Sequence, residues 1–138
     1  MPAELIILGV LAVMAASLWI PYIVGVNTAP AGSIPPEAPD GFVRPPDPGY
    51  QRAWVHRAYR AHLNLLEQSV PFAILVLLLD RVDGFGTLTL WTSVAFLLLR
   101  IAHAVGYITG TATFPARPLI FTGGWVCCLL MAVALFAA

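Results

Sequence analysis

Four long apolar stretches, at residues 3 to 26, 56 to 79, 85 to 107 and 116 to 137, constrain what this chain can fold into more than any other feature. Each is close to the ~20 helical residues needed to cross the hydrocarbon core of a bilayer. They predict an all-α, integral membrane four-helix bundle, a single membrane domain over residues 1 to 138. With 59% hydrophobic and only 10% charged residues, the chain lies outside the balance of a soluble domain. Seven arginines balance seven acidic residues and there is no lysine, so no basic cluster points to nucleic acid.

The connections differ in kind. Residues 27 to 53 hold seven of the twelve prolines, which favours an extended polar loop over a further helix. "DRVDGFGT", residues 80 to 87, is a tight turn whose glycines permit the backbone angles required. "TGTATFPARP", residues 109 to 118, is a short connection in which Pro115 and Pro118 suit the start of the last helix. Pro21 in "WIPYIVG" is expected to bend the first helix or end its regular part, with Trp19 and Tyr22 suited to the membrane interface. A cleavable signal peptide is the rival for the N-terminus, since "AVMAAS" offers small residues. Against it, Glu4 stands where a signal peptide carries positive charge.

Arginine placement predicts orientation. Arg44, Arg52, Arg57, Arg60, Arg100 and Arg117 lie in or beside the first and third connections, and only Arg81 lies at the second. The first and third connections are therefore expected in the cytoplasm and both termini on the opposite side.

Ionisable side chains in membrane helices normally face the bundle interior or a wet cavity. Arg60, Asn64 and Glu67 stand at i, i+4 and i+7 of the second helix and share one face; Arg100, His103 and Tyr107, at i, i+3 and i+7 of the third, share another. Both stripes fall near the predicted cytoplasmic ends. A pocket between them would offer cations to carboxylates, Glu67 to an ammonium, Asn64 to an amide, and His103 or Tyr107 as donors, which suits a small zwitterionic ligand. The same spacing equally suits a buried ion network of Arg60, Glu67 and Arg100 that holds the bundle together.

Other polar residues are less directive. His56, His62 and His103 lack a convincing third metal ligand, so no metal is expected. No phosphate-binding glycine loop and no nucleophile with an evident base is present. Cys127 and Cys128, adjacent in an apolar run, are expected to be packing residues. Trp54 and Tyr59 are expected to be interfacial anchors.

"RAYRAHLNLLEQSVPFAIL" resembles the second-helix signature of the MAPEG superfamily, the membrane-associated proteins in eicosanoid and glutathione metabolism, at Arg60, Asn64, Glu67 and Pro71. "RIAHAVGY" is similar to its third-helix segment at Arg100, Gly106 and Tyr107. The resemblance covers nearly the whole chain and is nearest the uncharacterised bacterial branch, which implies a bacterial inner membrane. It further implies a homotrimer with glutathione as co-substrate between subunits near the cytoplasmic face, and a lipophilic small molecule entering from the bilayer lipid. Glutathione binding is carried to Arg60, His62, Asn64, Glu67, Gln68 and Tyr107, with Glu67 taking the amino group. Catalysis is carried to Arg100 or Arg117, with His103 and Tyr107 assisting, because a thiolate is favoured over the thiol near positive charge.

The sequence departs from the eicosanoid-forming members at several positions. Phe114 stands where they have the arginine assigned to thiolate stabilisation; "GVNTAPAGS" lacks their basic residues, and Gln68 and His103 replace tyrosines. The expected function is a glutathione-dependent membrane transferase or peroxidase acting on a lipophilic electrophile. The alternative is a non-catalytic binding or scaffold protein with the same fold. A transporter has little support, because four short helices include no broken pair.

Overall fold

A computed structural model describes residues 1 to 32 and 51 to 138. The expectation for the proline-rich loop, including Arg44, falls largely on residues 33 to 50, outside that set. The described residues form helices α1 (Ala3–Ser17), α2 (Ile20–Asn27), α3 (Ala53–Arg81), α4 (Thr87–Thr109) and α5 (Ala116–Ala137). Since α1 and α2 together make one span, four stretches among the described residues are long and apolar enough to cross a membrane.

The break between α1 and α2 comes at Leu18 and Trp19, just before Pro21. Pro21 lacks an N–H and its ring crowds the carbonyl four residues back, at Ser17, where α1 ends. Pro71 lies inside α3, which nevertheless continues to Arg81. In the turn after α3 the left-handed residue is Asp83, with φ of 51°, and neither glycine has positive φ. Gly84 therefore serves close packing: a Cβ there would come within 2.9 Å of Leu79 and 3.1 Å of Ala138. Gly110, with φ of 78°, does take the left-handed position, at the end of α4.

Helix α3 is the hub. It packs against α1, α2, α4 and α5, and α4 also packs on α1 and α5. At one end of the bundle Leu11, Phe72, Val76, Leu79, Phe96, Cys127 and Met131 close an apolar core, with Phe72 and Phe96 stacked 4.0 Å apart. Cys127 packs in this core as expected, while Cys128 is half-buried beside it. The same end holds one polar tie. The Thr89 hydroxyl donates to the buried Glu4 carboxylate at 2.8 Å and accepts from the Gly86 N–H at 2.8 Å, joining the start of α1 to the start of α4. Glu4, acidic where a signal peptide would be basic, thus has a structural use.

At the other end, the residue that caps α3 and a side chain in its first turns donate to main-chain carbonyls of neighbouring helices. Arg52 Nη2 donates to Gly25 O at 2.8 Å, and Arg57 Nε donates to Ile108 O at 3.3 Å. Trp54 lies under the Arg52 guanidinium at 5.3 Å, and Tyr59 packs on Tyr22 at 5.2 Å, which also fastens α3 to α2. The close approach of α2 depends on Gly25, where a Cβ would come within 2.5 Å of Val55 and 2.8 Å of Trp54. Gly25→Ala is expected to cost about 1–3 kcal/mol through overpacking, read as a lower unfolding midpoint in detergent. An unchanged midpoint would show that this contact is slack.

Candidate functional site

The half of the bundle opposite the apolar core opens into a cavity of about 580 Å³. It is lined by Arg60, Asn64 and Glu67 of α3, His103 of α4, and Arg117, Phe121 and Thr122 of α5, with Phe114 and Pro118 at its edge. The three α3 residues reach it together because i, i+4 and i+7 differ by less than a right angle around a helix. Arg117 reaches it from the first turn of α5. Its guanidinium lies 4.6 Å from the centre of the Tyr107 ring, so a cation–π contact holds it there. Tyr107 in turn stacks on His103 at 5.4 Å.

The other sequence candidates are placed differently. Arg100 does not line the cavity; it is 1% exposed, its guanidinium lies 5.5 Å from the Phe96 ring, and Nη2 donates to Ile120 O at 3.1 Å. Tyr107 lies behind Arg117 and does not line the cavity itself. His62 is half-buried with Nδ1 unpartnered, turned away because two residues along a helix from Arg60 is more than half a turn. Gln68, a further residue along from Glu67, donates from Nε2 to Phe121 O at 3.0 Å. Among the described residues no bond or ion pair links Arg60, Glu67 and Arg100, which is contrary to a buried ion network of the three.

A second, largely apolar groove of about 410 Å³ runs between α3 and α5, lined by Gln68, Pro71, Leu75, Trp125, Cys128 and Leu129 among others. It shares Glu67 and Phe121 with the polar cavity, so the two are contiguous. Among the described residues no three His, Cys, Asp or Glu side chains gather as a metal site would require.

Phe121, Thr122 and Pro118 carry little sequence signal as site residues, because α5 is mostly apolar and presents no polar stripe. The one available signal was spacing: Phe114, Arg117 and Phe121 stand at i, i+3 and i+7.

A comparison with curated proteins finds no match. A family model, by contrast, matches residues 6 to 137, nearly the entire chain and all of the cavity. Its members are in general glutathione-dependent membrane enzymes. With four membrane-length helices and a polar cavity at one end of them, this chain belongs to the MAPEG family.

Proposed function

We propose that the cavity binds glutathione and that the protein is a glutathione-dependent membrane transferase or peroxidase acting on a lipophilic electrophile. The observation carrying this function is the convergence of Arg60, Asn64 and Glu67 with His103 and Arg117 on one cavity, in a chain of this family. Glutathione has two carboxylates, one ammonium, two amides and a thiol. Arg60 suits a carboxylate, Glu67 the ammonium and Asn64 an amide. The cavity's 580 Å³ falls within the roughly 300–1,000 Å³ of small-molecule sites.

Arg117, braced by Tyr107, is the cation assigned to the sulfur, and His103 its hydrogen-bonding neighbour. Beside the guanidinium the thiol ionises and its proton passes to water. The sulfur then forms a bond to an electrophilic carbon, and the leaving group departs with the electron pair. With a hydroperoxide the sulfur attacks oxygen and the O–O bond breaks, releasing the alkoxide, which takes up a proton to leave as the alcohol; the thiol of a second glutathione then displaces water from the sulfenic acid and closes the disulfide. The apolar groove that shares Glu67 and Phe121 with the cavity gives a lipophilic substrate a route from the bilayer.

Arg60 lies exposed on the isolated chain, and Val70, Ile74 and Leu77 continue its side of α3. Polar side chains on a membrane helix are costly against lipid. A homotrimer in which other copies cover this face, with the first and third connections cytoplasmic and both termini opposite, removes that cost. Sedimentation in detergent is expected to give three copies; a monomer would contradict it.

Phe114 favours a second function, glutathione binding without thiol activation, since it lines the cavity where eicosanoid-forming relatives have arginine. Arg117, three residues on and lining the same cavity, favours catalysis. Purified protein should conjugate glutathione to a reactive aryl halide or reduce a lipid hydroperoxide. Binding without turnover of either would select the non-catalytic function.

A further inference from the structure

The buried pair Gln68 and Arg100 carries an inference that rests on the function just proposed. Both side chains are more than nine-tenths buried, and they come from different helices, α3 and α4. Both donate to consecutive carbonyls of α5: Gln68 Nε2 to Phe121 O at 3.0 Å and Arg100 Nη2 to Ile120 O at 3.1 Å. These carbonyls lie at the stretch of α5 that presents Arg117, Pro118, Phe121 and Thr122 to the cavity. Neither donor is spent on a carboxylate, and neither side chain lines the polar cavity.

Gly124 is the third part. It is buried, and a Cβ there would overlap Gln68 Oε1 and come within 2.6 Å of Arg100 Nη2. Only a residue without a side chain lets α5 settle against both polar ends at once. The remaining buried polar atoms of the pair, Gln68 Oε1 and Arg100 Nε and Nη1, have no partner among the described residues. A site that buries so much unpaired polarity in a membrane bundle stabilises the fold poorly, since buried polar atoms without partners are costly. Its geometry is better matched to setting one helix against two others.

We infer that Gln68, Arg100 and Gly124 form a clamp that fixes the start of α5 and thereby the distance from Arg117 to the bound sulfur. Arg100 and Gln68 are positioning residues in this arrangement. The positive charge that meets the thiolate is that of Arg117, and Arg100 acts on it through the main chain of α5. None of the three clamp residues lines the polar cavity with Arg60, Asn64 and Glu67, although Gln68 lines the neighbouring apolar groove, so glutathione affinity and thiol ionisation are separable.

Gly124→Ala in the full chain tests this. The atoms that must yield are the ends of two flexible side chains, so the helices stay packed while the clamp opens. Glutathione affinity should stay within about threefold, while the ionisation midpoint of the bound thiol, read from thiolate absorbance, rises by about one pH unit and kcat falls about tenfold. Amide hydrogen exchange over residues 119 to 122, measured without glutathione, should quicken by roughly tenfold. Gln68→Met, which removes one donor and adds no bulk at Gly124, should shift both readouts in the same direction by less. Unchanged exchange and an unchanged thiol midpoint in Gly124→Ala would overturn the clamp and leave glutathione binding by the cavity standing. Absence of any thiolate in the unmodified protein, with exchange still quickened in Gly124→Ala, would overturn the catalytic function and with it the clamp's role in ionisation.

Discussion

Glu67→Gln is expected to weaken glutathione binding by roughly a hundredfold, about 3 kcal/mol, the scale of removing one partner from a hydrogen-bonded charge pair that the other copies of the proposed trimer cover. Glu67 is exposed on the isolated chain and is the one acidic residue among the described residues lining the cavity, where Arg60 and Arg117 supply the opposite charge, so an effect of this size supposes the cover that neighbouring copies give in the proposed trimer. Glutamine keeps the shape and loses only the charge, so the effect reports on the ammonium it is assigned to hold. A glutathione analogue lacking the amino group separates the terms. It should bind the unmodified protein as weakly as glutathione binds Glu67→Gln, and lose little further on the variant. Equal losses from the substitution with both ligands would show that Glu67 shapes the cavity and does not pair with the ammonium.

Arg117→Ala is expected to lower kcat/KM by roughly 10²–10³-fold, the effect of deleting one preorganised group that stabilises developing negative charge. The reasoning is geometric: Arg117 lines the cavity and rests on Tyr107, while Arg100 is sealed behind α5. The pH dependence gives the sign. A cation lowers the pKa of the bound thiol, so the thiolate is present above that lowered value and is lost as pH falls through it. Without Arg117 the rise in activity should move to more alkaline pH, towards the ordinary thiol value. Arg117→Lys should recover part of the rate, since it keeps charge but not the flat fork that stacks on Tyr107. A profile that does not move in Arg117→Ala would assign the stabilising charge elsewhere.

How much of this was legible from the sequence depends on how far each feature spans helices. The grouping of Arg60, Asn64 and Glu67 was readable because it lies within one helix and needs only 3.6 residues per turn. The second stripe was only partly readable. Arg100, His103 and Tyr107 share a side of α4, yet they sit at different depths, and steps of three residues turn a helix by roughly 60° from a full circle. What decides their roles is α5. It covers Arg100 because Gly124 allows the approach, leaves His103 at the cavity, and sets Arg117 over Tyr107. None of those contacts has a local signature. "FTGGW" did carry one usable sign, since paired glycines in an apolar run mark close helix packing.

The arginines show a related limit. Six of the seven lie near the first and third connections, which is a topogenic pattern. Arg52, Arg57 and Arg100 also donate to carbonyls of neighbouring helices. A count of charges cannot separate these uses, because hydrogen bonding to a distant carbonyl is a tertiary property. Asp83 is a smaller instance: the turn contains two glycines, yet its left-handed angle falls on the aspartate between Val82 and Gly84.

The most direct measurement is calorimetry of glutathione binding to the detergent-purified protein in buffers of different ionisation enthalpy, with S-methyl glutathione alongside. An ordinary thiol, with a pKa of about 8.5, is protonated at pH 7. Binding as the thiolate must therefore release a proton, and the blocked sulfur must release none. Saturable binding with proton release for glutathione alone is the expected result. Equal proton release for the two ligands would contradict thiol activation, and no binding of either would contradict a glutathione site in this cavity.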